Sequence, residues 1–196
     1  MIFNKKELDL IKEALNSGIG RAALALSEIF NDSVEINLIE ITLKKLSEAE
    51  KWLKDKYSKT TVVYQDFFGR VEGKTYIIFS HNSVKLLLNY LSKKDDIERD
   101  FTNDVLLEIS NIITNNLMGA IGNFLSERIE YSLPEISVNK FSELNKKDDY
   151  YVLIVNSELT LKTKDMKMDF LIIFSIKSFD VFKDLFLKVV EKNENR

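Results

Sequence analysis

The chain carries two copies of one pattern, set 95 positions apart. Asp9, Glu13 and Asn16 recur as Asp104, Glu108 and Asn111, and Leu38, Glu40 and Ile41 recur as Leu133, Glu135 and Ile136. The same shift carries Ser47 and Glu48 onto Ser142 and Glu143, and Ile78, Phe79, Ser80 and Ser83 onto Ile173, Phe174, Ser175 and Ser178. A single offset serving separated blocks argues for two halves built to a common plan. The halves are read as about 1–91 and 101–196, joined by a polar connector at 92–100, SKKDDIERD.

Each half presents its elements in the same order. Asn4 followed by Glu7 is a helix-start signal, after which Leu8, Ile11, Leu15, Ile19, Ala22 and Leu26 recur at helical spacing. This predicts a long amphipathic helix ending near Asn31 and Asp32. Its counterpart is predicted from about Thr102 toward Glu127, with Leu106, Ile113, Leu117, Ile121 and Phe124 on its apolar stripe. Strand-like segments follow at about 35–43 and 129–138. The β-rich runs TTVVYQDFFGRV and KTYIIFS, then YYVLIVNSELTLKT and MDFLIIFS, predict antiparallel hairpins, the first with Gly73 in its turn. SVKLLLNYL and SFDVFKDLFLKVV close the halves as helices. The expectation is an α+β fold with pseudo-two-fold symmetry, an antiparallel sheet packed with two long motif-bearing helices.

Composition removes several classes of function. The 28 basic and 31 acidic residues nearly cancel, and no stretch concentrates positive charge, so nucleic acid is not an expected partner. No run of apolar residues is long enough to cross a bilayer and no leader-like segment opens the chain, so a cytoplasmic location without membrane attachment is expected. With no cysteine and one histidine, His81, thiolate chemistry, most zinc sites and a Ser-His-Asp triad lack their parts. No metal ligand is assigned. Gly18-Ile19-Gly20 has no preceding strand and reads as a helix-packing contact rather than a phosphate loop. His81 reads as a cap or turn residue, Trp52 and Tyr57 as surface or partly buried anchors, and the final EKNENR as a solvated tail.

On a helix, Asp9, Glu13 and Asn16 fall on one narrow stripe, roughly 120° from the apolar one. Asp104, Glu108 and Asn111 repeat it. Asn and Gly are poor helix formers, so helix stability is not what placed Asn16, Gly18 and Gly20 there. These residues resemble the motif of the CheC, CheX and FliY family of response-regulator phosphatases: Asp or Ser, three residues, Glu, two residues, Asn, then twenty-two residues and Pro. Asp104, Glu108, Asn111 and Pro134 match it throughout, whereas in the first half Ile39 stands at the proline position. SGIGRAALALSEIF and NIITNNLMGAIGNFLSERIEYSLPEIS are similar to the CheC segments that follow each motif, and two motif copies favour CheC over the single-motif CheX.

The resemblance implies hydrolysis of the phospho-aspartate of a CheY-like response regulator. Asn16 and Asn111 would orient the attacking water, since an amide donates and accepts hydrogen bonds together. Glu13 and Glu108 would pair with the regulator's lysine and dock it in register, while Asp9, Asp104 and Pro134 would support the motif. Magnesium would sit on the regulator, with no cofactor bound by this chain. A CheD-like deamidase is left open as a further partner. The competing expectation is a CheC- or FliM-like adaptor, a flagellar-switch binding module without catalysis.

Overall fold

A computed structural model describes residues 3–56, 59–91, 99–138, 150–161 and 164–194. Within them the first half contains α1 (Lys5–Phe30), β1 (Val34–Lys45), α2 (Leu46–Lys56), β2 (Thr60–Gly69), β3 (Gly73–Ser80) and α3 (His81–Leu91). The second contains α4 (Arg99–Leu125), β4 (Ile129–Tyr131), β5 (Glu135–Val138), β6 (Tyr150–Leu161), β7 (Lys164–Ser175) and α5 (Ile176–Glu194). The expected α+β class holds. The connector expected at 92–100 lies mostly outside the described residues, and its last two positions, Arg99 and Asp100, already belong to α4. Tyr57, Ser142 and Glu143 also fall outside.

α1 starts where Asn4 and Glu7 predict it. The Asn4 side chain accepts from the Glu7 amide at 3.0 Å, and the Glu7 carboxylate accepts from the Asn4 amide at 2.7 Å, which satisfies two of the helix's unpaired donors. Its end is set by Asn31, left-handed at φ 47°. The predicted stripe is buried at Ile11, Leu15, Ile19, Ala22 and Leu26, and on α4 at Leu106, Ile113, Leu117 and Ile121. Each such side chain removed from water contributes about 1.5–3 kcal/mol, far more than the propensity cost of the polar residues between them.

All strands belong to one antiparallel sheet, ordered β1-β6-β7-β3-β2, with β4 and β5 paired in succession along the outer edge of β2. Exchanging β1 with β4–β5, β2 with β6 and β3 with β7 reads this order back onto itself. α1, α3, α4 and α5 cover one face, where Leu15, Leu117, Phe67, Phe170, Phe174 and Phe186 share the main core. The other face is packed by α2 through Leu46, Ala49 and Leu53. β6 and β7 are therefore apolar on both sides, as in the run Val152 to Val155, although the sheet is antiparallel.

α2 is an element the sequence reading passed over. Its Leu46, Ala49 and Leu53 have helical spacing, and Trp52 is partly buried against the same face of the sheet. Lys56 near its end bonds the fully buried Asp169 at 2.7 and 2.9 Å and lies over the Trp52 ring, tying the helix to β7. The glycine expected in the first hairpin turn also moves. Gly73 is the first residue of β3, where a Cβ would strike Ile173 and the Phe67 ring, while the positive φ of 147° belongs to Gly69.

The offset of 95 holds for the helix pair α1 and α4 and for β3 and β7, but not for β2 and β6. Ser80 pairs with Thr60, whereas its counterpart Ser175 pairs with Tyr150. The structural counterpart of Gln65 is consequently Val155, not Thr160.

Candidate functional site

α1 and α4 pack on each other about the centre of this symmetry. Arg21 donates to the carbonyl of Asn116, its own counterpart, at 3.3 Å. Gly18 permits the approach: a Cβ there would lie 2.6 Å from the Asn116 carbonyl oxygen and 3.0 Å from Ala120. Gly20 has no such neighbour and is exposed, so helix packing accounts for one of the two glycines.

With the inner faces committed to the core, both motif stripes turn outward. Asp9, Glu13, Asp104 and Glu108 are exposed. Neither Asp9 nor Asp104 hydrogen-bonds its neighbouring glutamate among the described residues, and Asp9 does not cap α1, since Asn4 does. Asn16 is exposed and its side chain makes no hydrogen bond among the described residues, whereas Asn111 is half-buried and held. Its Oδ1 accepts from Gln65 Nε2 at 3.2 Å and from Asn115 Nδ2 at 3.1 Å. No group of three or more His, Asp or Glu residues placed to hold a metal occurs among the described residues.

Gln65 comes from β2, under α4, and is 1% exposed. Its Nε2 also donates to the Ser132 carbonyl at 3.1 Å, while its Oε1 is buried without a partner. Ser132 precedes Leu133 and Pro134 in the gap between β4 and β5, where three residues face two of β2. The serine carries the pairing across that gap. Its amide donates to the Asp66 carbonyl at 2.9 Å, its hydroxyl accepts from the Asp66 amide at 3.0 Å, and its carbonyl is left for Gln65. Beside it, Tyr131 is half-buried and desolvation raises its phenol pKa, so it stays neutral.

The same irregularity occurs in the first half. The β1–β6 register slips between Leu38 and Glu40, which makes Ile39 a bulged residue. Ile39 thus does not simply continue a strand, and the bulge forms with or without proline. Both bulges project an apolar side chain: Ile39 is 55% exposed and Leu133 85%.

Sequence reasoning missed Gln65, Asn115 and Ser132 as parts of this site. The available signal was a polar side chain in the core-facing alternation Val63, Gln65, Phe67.

Residues 61–157, which contain Gln65, Glu108, Asn111 and Pro134 but not the first motif, match the family model described as chemotaxis phosphatase CheX. The CheY-P phosphatase CheC of Bacillus subtilis (strain 168) is 21% identical over 95% of this chain and 96% of its own length. The chain is thus similar to the CheC/CheX/FliY family. That family includes CheY-P phosphatases. Its fold is shared with FliY of Thermotoga maritima, at a TM-score of 0.77 and 17% identity over 96% of this chain and all (100%) of the other. The FliM middle domain from H. pylori superposes at 0.68 with 14% identity, covering 93% of this chain and 99% of that one. A CheX from Desulfovibrio desulfuricans reaches 0.54 with 11% identity, covering 82% and 99%. No helix among the described residues is long and apolar enough to cross a membrane.

Proposed function

We propose that this protein hydrolyses the phospho-aspartate of a CheY-like response regulator, with Asn16 and Asn111 acting on the attacking water and the phosphoryl group. The observation that carries the reading is the pair of Glu–Asn stripes, each turned outward on a helix whose opposite face is locked in the core. Glu13 and Glu108 dock the regulator through its conserved lysine. The apolar side chains at Ile39 and Leu133 form part of the docking surface.

In the reaction the water oxygen forms a bond to phosphorus as the bond from phosphorus to the aspartyl oxygen breaks. The electron pair returns to the aspartate carboxylate, and the water's proton leaves to phosphate or solvent. Such transfers depend chiefly on alignment and on charge stabilisation. Magnesium held by the regulator's own acidic pocket would supply the charge stabilisation. The asparagines supply alignment, because an amide orients water without removing its proton. The two motif units are proposed to be duplicates, each contributing one site.

The test is phosphate release from a phosphorylated chemotaxis regulator mixed with the purified chain. Acceleration is expected to be magnesium-dependent and to fall to the regulator's intrinsic rate in Asn16→Ala/Asn111→Ala. A double variant as active as wild type would remove the mechanism. The FliM-like fold supports the second reading, a docking module. That reading predicts regulator binding with no faster loss of phosphate.

A further inference from the structure

We infer that Gln65 is a positioning residue for the Glu108–Asn111 site, and that it fixes which end of the Asn111 amide meets the partner. The inference rests on the phosphatase reading for its chemistry, but its geometry stands apart from it. A backbone carbonyl can only accept a hydrogen bond. The Ser132 carbonyl, 3.1 Å from Gln65, therefore requires the amino end of that amide to face it. The same amino group lies 3.2 Å from Asn111, which must then present its carbonyl oxygen. A second donor, Asn115 Nδ2 at 3.1 Å, occupies that oxygen as well. Both acceptor positions of Asn111 Oδ1 are taken, and Nδ2 is neither buried nor bonded among the described residues. The relay from Ser132 through Gln65 thus sets Asn111 as a donor toward an incoming oxygen, whether of the attacking water or of the phosphoryl group.

The other half of the molecule is an internal control. Val155 stands in place of Gln65 and Gly20 in place of Asn115, and the Asn16 side chain makes no hydrogen bond among the described residues. The fold accommodates valine at this strand position with no exposed surface. Glutamine there buries a carbonyl oxygen with no partner, a cost that the valine of the other half does not carry. The retained cost is accounted for by what the amino end of the same side chain does for Asn111.

Gln65→Val in an Asn16→Ala background tests this, because only the second site then operates. The turnover number is expected to fall about tenfold while KM for the phosphorylated regulator stays near its starting value, since Glu108 is untouched. Thermal stability is expected to hold or rise, the opposite of what a purely structural glutamine gives. Asn115→Ala, at an exposed position, should produce a smaller fall of the same kind. Independently of activity, side-chain amide relaxation by NMR should find the Asn111 amide rigid and the Asn16 amide mobile in the unmodified chain. An unchanged turnover number in Gln65→Val, or equal mobility of the two amides, would overturn the inference. If the unmodified chain releases no phosphate from any regulator, the phosphatase reading fails, and amide relaxation still decides whether Asn111 is held. Should Gln65→Val not fold, Asn115→Ala and the relaxation comparison decide.

Discussion

Asn111 and Asn16 occupy equivalent places on two equivalent helices, yet one is half-buried with two hydrogen bonds to its oxygen and the other is exposed with none among the described residues. The motif stripe is common to both halves. The support beneath it is not, since Gln65 and Asn115 on one side correspond to Val155 and Gly20 on the other. A motif names the groups that reach a partner, but the strand below them determines how firmly they are held. Alignment is what a phosphoryl transfer of this kind asks of an amide.

The largest expected effect follows directly. In single-turnover dephosphorylation of a regulator with this protein in saturating excess, Asn111→Ala should cost about ten to a hundredfold, and Asn16→Ala about threefold or less. Alanine is the better helix former, so Asn16→Ala should not lower stability, whereas Asn111→Ala leaves a buried Gln65 N–H without its acceptor and should cost about 1–3 kcal/mol. A larger loss from Asn16→Ala would reverse the ranking of the sites while leaving the assignment to a phosphatase in place.

The next effect concerns the contact that both sites share. Gly18→Ala would place a methyl group 2.6 Å from the Asn116 carbonyl oxygen, so α1 and α4 would have to separate. Helix propensity returns about 1 kcal/mol, and overpacking should outweigh it for a net loss of about 1–2 kcal/mol in denaturant unfolding. Because α1 and α4 meet there, both sites should weaken together. Loss at one site alone would break the view that one helix pair positions both.

Much of this was legible in the sequence and some was not, for physical reasons. Ile11, Leu15, Ile19 and Leu26 announce α1 because a helix must bury one stripe, and Asn4 with Glu7 marks its start. The offset of 95 shows α4 as the counterpart of α1 and β7 as that of β3, because these paired elements meet each other around the symmetry centre. Gln65 stayed hidden. Its strand hairpin has the pairing Thr60 to Ser80, and the later one Tyr150 to Ser175, so the later hairpin is five residues longer. A compensating shortening before it leaves the overall offset intact, so the offset points to Thr160 and hides Val155, the true counterpart of Gln65. α2 was overlooked because three apolar residues among lysines and glutamates make a short stripe, legible only once a bare sheet face is known to need cover.

The proline offers a smaller test. Pro134 distinguishes the two motifs in sequence, but Ile39 forms a bulge at the same place. The expected result for Pro134→Ala is therefore a loss of about 0.4–1 kcal/mol through the freer unfolded chain. Activity of the Asn111 site should drop no more than about threefold, provided Ser132 keeps its carbonyl on Gln65. A drop as deep as that of Asn111→Ala would return the inequality of the sites to the proline rather than to Gln65.

The smallest effect separates two explanations for Gly20. Either the glycine lets the regulator approach Asn16 closely, or the position merely lacks the residue that holds the asparagine in the other half. A Cβ added at Gly20 meets nothing within 4 Å, so Gly20→Ala carries no packing cost. It should stabilise the helix by about 1 kcal/mol, which for a chain of this size raises Tm by about 2–4 °C. The decisive measurement is the single-turnover rate in an Asn111→Ala background, where only the Asn16 site remains. If the weakness of that site lies in an unheld amide, a methyl group four residues away leaves the rate within about twofold, as for other exposed substitutions. If the glycine is there for access, the same methyl group lowers the rate while the protein becomes more stable. The geometry favours the first outcome, because Asn115 occupies the matching position of the other site and a full side chain there bonds Asn111 while leaving it partly exposed.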